Sequence, residues 1–168
     1  NYGLDEKFTW NGKTLKTKEW IESGAYDEDA WTGVTVMLAT SRWTNHFHNP
    51  LKPWEEAGLT DIQTGKSSLL WAQDASYQEG FLLGDWSWST IRACYDLALT
   101  SASAADREAF FAMVFTGLGH QMHHIQDMSQ PDHVRNDAHP WEKNTTGNFN
   151  FEAWAAEHSD IISKLTTT

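Results

Sequence analysis

Between His120 and His133 the chain places four histidines and two aspartates within fourteen residues, His120-Gln-Met-His123-His124-Ile-Gln-Asp127-Met-Ser-Gln-Pro131-Asp-His133. Imidazoles and carboxylates gathered this closely are metal-ligand chemistry. With Cys94 as the single cysteine, the donors are nitrogen and oxygen, a set that suits zinc. Helix residues four apart share a face, with Cβ atoms about 5–6 Å apart, so His123 and Asp127 can converge on one cation. His120 and His124 occupy neighbouring positions of that face, and spacing alone leaves the choice among His120, His123 and His124 open. A proline pushes the residue before it out of the helical region. The chain therefore turns at Gln130 and swings His133 back toward the helix end. A single histidine on a helix is usually a surface or hydrogen-bonded core residue; the constellation is what argues for a metal.

The element that must carry this cluster is a long helix. Ser103-Ala-Ala-Asp106 has a capping serine three residues before an acid, which opens a helix over roughly 104–128. Phe110, Phe111, Val114, Leu118, Met122 and Ile125 are expected to form its buried apolar stripe. Three- and four-residue apolar spacings predict further helices over 67–77 and 86–100, and a last amphipathic one over 149–165. Thr17–Glu22 predicts a short helix stopped by Gly24. Residues 1–16 read as an irregular arm or a short hairpin. Two long loops are expected, over 40–64 and 130–148, the first containing His46 and His48. Few segments alternate as strands do, so the class is all-α: one multi-helix metal-binding domain spanning 1–168.

Composition narrows the function. The 168 residues suffice for a sizeable core. A formal charge of -11 argues against a protein that grips phosphate backbones with a basic patch, which makes nucleic acid a less favoured partner. Cys94 cannot form an internal disulfide and sits in a helical apolar pattern, as a small core residue does. No apolar run has the 18 or so residues of a transmembrane segment. Most of the ten tryptophans are expected in the core, with a few at a cleft mouth able to meet acyl chains or stack on bases. Asn144-Thr-Thr146 fits a glycosylation acceptor, a triplet that also arises often by chance. The start at Asn1, without Met or a signal peptide, is consistent with a processed product.

His123-x-x-x-Asp127-x-x-x-Pro131-x-His133 resembles the central motif of the bacterial zinc-dependent phospholipases C and the related fungal single-strand nucleases. Gly24-Ala-Tyr-Asp-Glu-Asp29 and Asn45-His46-Phe47-His48-Asn49-Pro50 resemble that family's acidic segment and its His-Phe-x-Asp-Pro segment. Gly147-Asn-Phe-Asn-Phe-Glu152-Ala-Trp resembles its His-x-x-x-Glu segment. The resemblance runs from about residue 20 to 160 and implies an all-helical phospholipase C/nuclease-like fold binding one to three zinc ions.

Position by position, the resemblance implies a first site of Asp29, His46, His123 and Asp127, with Asp27 as the alternative to Asp29. A second site would use His133 and Glu152. Asn148 stands where the family has histidine, four residues before Glu152, so this second metal is either held more loosely or rescued by His139. The family's third site needs an amino-terminal tryptophan and a helical histidine, and no histidine precedes His46 here. A removed segment or a separate chain would have to complete it.

The implied activity is zinc-dependent phosphodiester hydrolysis in a secreted, periplasmic or extracellular setting, with Asp29 orienting or deprotonating water and Asp127 bridging metals. Phospholipid is the first substrate, other phosphodiesters the next. The rival reading is a catalytically weak or inactive zinc-binding assembly module that keeps the fold, which Asn148 and the missing amino-terminal ligands favour.

Overall fold

A computed structural model describes residues 3–29, 42–60, 64–79, 84–138 and 151–165. The described chain is mostly helical. Its one sheet is an antiparallel hairpin of β1 (Lys7–Trp10) and β2 (Lys13–Lys16), with Lys7 opposite Lys16 and Trp10 opposite Lys13. Asn11 and Gly12 both take positive φ in the two-residue turn, the conformation such tight hairpins require. Of the two readings of 1–16, the hairpin is the one formed.

Helix α1 (Thr17–Asp29) does not stop at Gly24. Thr17, Trp20, Gly24 and Glu28 make one continuous buried face. A Cβ on Gly24 would collide with the Thr116 carbonyl on the facing helix. The glycine thus serves the close approach of two helices, and intrahelical hydrogen bonding continues through it.

The segment expected as one helix over 67–77 is two, α2 (Ser68–Gln73) and α3 (Ala75–Gln78). They are separated by Asp74, whose extended backbone lets its carboxylate cap α3 through Ser76 N–H at 2.9 Å. Helix α4 (Trp88–Thr100) and the long α5 (Ala104–Asp127) follow, the latter capped by Ser103 as its sequence requires. Both α1 and α4 pack along α5. One core cluster joins Phe8, Trp20 and Ala112; another joins Ile91, Cys94 and Val114, with Phe110 and Leu118 packed on it. The expected stripe is too long by two residues. Met122 and Ile125 are 47% and 72% exposed, because the buried face in this last part of the helix is made by His120, His124 and Asp127.

The expected loop over 130–148 begins with a helix, α6 (Pro131–Arg135), which Pro131 opens at its first turn, where its missing N–H costs nothing. Asn136 closes it in the left-handed conformation, φ 59°. The last predicted helix is divided into α7 (Phe151–Glu157) and α8 (Ser159–Leu165) around His158. Of the 40–64 loop, 42–60 and residue 64 are described. It carries 3₁₀ turns at Arg42–Asn45 and Trp54–Glu56. It is tied down by Asn45, whose side-chain oxygen accepts from Lys66 N–H at 2.7 Å, and by the Asn136 amide, which donates to the carbonyls of Ala57 and Gly58 at 3.1 and 2.9 Å.

Candidate metal centre

Three segments meet where α1 ends. Asp29 is the last residue of α1, His46 follows the 3₁₀ turn, and His123 and Asp127 share the final turns of α5. His46 Nδ1 lies 3.3 Å from Asp127 Oδ2 and 3.9 Å from Asp29 Oδ1; His123 Nε2 lies 3.4 Å from Asp127 Oδ2. Donor atoms of Asp29, His46 and His123 all fall within 4.8 Å of one another. A small tetrahedral cation with bonds of about 2.0–2.1 Å holds its ligands about 3.3 Å apart; the pairs that Asp127 makes with His46 and His123 stand near that length, and Asp29 lies somewhat farther from His46. Asp127 Oδ2 is buried and accepts no hydrogen bond from the described residues. A carboxylate oxygen left so in a core is costly, and a cation would satisfy it.

The charges favour the same function. Burial holds His46 at about 3 and, with the charge of His124, His123 at about 4, so both imidazoles are neutral ligands at ordinary pH. Burial pushes the Asp127 carboxyl up to about 7 despite the opposing influence of His133 and His124. Its proton is the one a metal ion must displace.

Asp27 lies two residues from Asp29, on another side of α1, and its carboxylate is reached by the Ser23 hydroxyl at 3.4 Å. Of the two acids left open, Asp29 joins the cluster.

His133 is brought back as its proline spacing required. Its Nδ1–H donates to the His46 carbonyl at 3.0 Å, which leaves Nε2 facing Glu152 Oε1 at 3.2 Å. Asp127 Oδ1 approaches His133 on the Nδ1 side, at 3.6 Å. His133 and Glu152 are therefore paired as expected, while His139 and Asn148 lie outside the described residues. His48 is turned elsewhere, its Nδ1 2.8 Å from Ser67 Oγ.

Glu28, His120 and His124 form a second group beneath the first. Glu28 is 1% exposed and receives Arg42 Nε at 2.9 Å, Arg42 Nη2 at 2.7 Å, Trp71 Nε1 at 3.0 Å and the Nδ1 of His120. Arg42 and His120 meet its Oε2; its Oε1, which Trp71 reaches, stands 3.1 Å from His124 Nε2 and 3.5 Å from His46 Nε2. Burial alone would raise its carboxyl, but the charge of His124, the hydrogen bond from His120 and the nearby rings of His124 and His46 outweigh it and hold the group well below the usual carboxylate range. Arg42 in turn donates to Gln78 Oε1 at 2.9 Å and to the Gly84 carbonyl at 2.7 Å, and stacks over Trp71. Glu28, His46 and His124 also have donor atoms within 4.8 Å of one another.

Sequence reasoning missed Glu28, although a signal existed. It is eight residues after Trp20 and four after Gly24, on the helical face those residues bury. Taking Gly24 as a stop removed Glu28 from that face.

No family model, curated protein or solved structure matches the chain.

Proposed function

We propose that the chain is a zinc-dependent phosphodiester hydrolase of the phospholipase C-like kind, with phospholipid as its first substrate class. The observation that carries this reading is the convergence of His46 Nδ1 and His123 Nε2 on Asp127 Oδ2, at 3.3 and 3.4 Å, with Asp29 Oδ1 3.9 Å from His46 Nδ1. Two neutral imidazoles and two carboxylates suit zinc better than magnesium or calcium, which prefer all-oxygen sites. The motif order, His46 before His123-x-x-x-Asp127 before His133 and Glu152, supports the phospholipase C-like assignment. The charge of -11 favours a phospholipid over a nucleic-acid backbone.

Zinc that adds a water to these four ligands, expanding to five-coordinate, would lower the pKa of that water toward about 7 and offset the charge that builds on a phosphodiester during attack. The chain's own residues set the rest. His46 and His123 act as neutral ligands, held by burial. Asp29, the exposed member of the group at the end of α1, is placed to accept a proton from attacking water. Asp127 completes the ligand set from within the core, and His133 with Glu152 offers a second position beside it.

The test is to measure zinc in the purified chain without added metal, and then to assay a chromogenic phosphocholine ester with zinc present. Metal together with turnover that a chelator abolishes supports the reading. Metal without turnover favours the assembly module, and a chain that takes up no zinc overturns both.

A further inference from the structure

His46 meets a carboxylate at each ring nitrogen. Nδ1 faces Asp127 and Asp29, and Nε2 faces Glu28. A neutral imidazole has one N–H and one lone pair, so the ring can offer its lone pair either to the outer group with His123 or to the inner group with His124.

The acceptors on the two sides differ. Glu28 already takes two hydrogen bonds from the Arg42 guanidinium, one from Trp71 and one from His120. It is a charge-neutralised hub, and a second cation on it would stand close to the guanidinium. On the outer side Asp127 Oδ2 is buried and accepts no hydrogen bond from the described residues. A lone pair turned toward Glu28 would face the lone pairs of the carboxylate that Arg42 pairs with, whereas an N–H turned there faces Oε1 at 3.5 Å, a separation at which the described residues show no hydrogen bond but which a small shift of the ring would close.

We infer that Glu28 is a positioning residue: it holds the proton of His46 on Nε2 and thereby presents the Nδ1 lone pair to the metal shared with Asp29, His123 and Asp127. The inference deepens the zinc reading proposed above and rests on it. Partners of this kind fix the tautomer and orientation of ligating histidines, and here Arg42, Trp71 and His120 fix the partner itself. The His46 main chain is also clasped, through its carbonyl, by His133.

Nitrogen NMR of histidine-labelled protein tests this, with the His46 signals assigned by their loss in His46→Asn. In the metal-free chain the His46 proton is expected on Nε2, and in the cadmium-loaded chain cadmium coupling is expected at His46 Nδ1. Glu28→Gln places an amide opposite the ring; because Arg42 retains the amide oxygen, the NH₂ takes the place of Oε1, where it loses the Trp71 hydrogen bond and faces Nε2, so the fold is weakened, the proton moves to Nδ1, and cadmium affinity falls by roughly 10–100-fold. A role in packing alone would lower stability without moving the proton.

A proton on Nδ1 in the unsubstituted chain overturns the inference, whether or not the Gln variant folds. So does coupling at Nε2 that disappears in His124→Ala, which would place the ion in the inner group. Should no metal bind while the proton moves as expected, Glu28 still controls the tautomer and the zinc reading is what fails.

Discussion

Gly24 and Gly119 touch across the crossing of α1 and α5: a Cβ on Gly119 would stand 3.0 Å from the Cα of Gly24 and 2.7 Å from the Ala25 nitrogen. This crossing brings Glu28 and Asp29, at the end of one helix, to His120, His123, His124 and Asp127, at the end of the other. Gly119→Ala is expected to force the helices apart and destabilise the fold by about 1–3 kcal/mol, weakening zinc binding with it. Gly3→Ala, where nothing lies within 4 Å of the added carbon, is the control. Equal urea midpoints for the two variants would show that the crossing tolerates a methyl group.

His123 and His120 are three residues apart and are expected to fail differently. His123→Ala removes a donor from the outer group, so zinc stoichiometry should fall. His120→Ala removes a hydrogen bond from Glu28, and a buried acceptor that loses a partner costs about 1–3 kcal/mol; stability should drop while the metal remains. Metal analysis and a denaturation curve on each variant check this, and loss of metal only in His120→Ala would exchange the two roles.

The pH dependence of zinc uptake should report Asp127. His46 and His123 have folded-state values of about 3 and 4, so they carry no proton for zinc to displace above about pH 5. Asp127, at about 7, does. Affinity should rise about tenfold per pH unit from 5 to 7 and level off above, with about one proton released at pH 6. Calorimetry in buffers of different ionisation enthalpy counts that proton; two or more would mean that the imidazoles are protonated.

Stability of the metal-free chain follows from the same groups. For the two histidines the folded-state value is depressed, so their contribution is present above about pH 6.5 and is lost as pH falls toward 4 and 3. Asp127 is raised, so its contribution is present below about 3.8 and is lost as pH rises through about 7. Two groups oppose one, and the melting temperature should fall on acidification from 6.5 to 4. A rise over that interval would show that Asp127 dominates.

Arg42 and Glu28 are both buried, with side chains 3% and 0% exposed. Arg42→Met leaves an uncompensated charge and is expected to cost about 3–5 kcal/mol, whereas Arg42→Met combined with Glu28→Gln should recover part of the loss. Equilibrium unfolding in urea measures both, and a double variant less stable than the single would show that the pair is not acting as a unit.

How much of this was legible depended on the range of the interactions. Helix α5, its serine cap and the turn before Pro131 follow from local rules, because caps, periodicity and proline sterics act within a few residues. For the same reason His123 and Asp127 could be paired, four residues apart on one helix. The reach of His133 back to that helix end also followed from the proline. The link from His46 to this cluster came from ordered motifs, since 77 residues separate it from His123 and no spacing argument spans that distance.

What only the tertiary structure decided lies where helices meet. Gly24 has the same sequence signature whether it ends a helix or lets another helix approach; the Thr116 carbonyl against it decides for approach. The choice of Asp29 over Asp27 depends on how α1 is rotated when it packs on α5. The separation of His123 from His120 and His124 depends on Glu28, which reaches them from α1 and whose partners Arg42 and Trp71 come from two further segments. Local propensity determines which residues share a helical face, but which face meets which is settled by long-range packing, and that packing turned one run of histidines into two groups around His46.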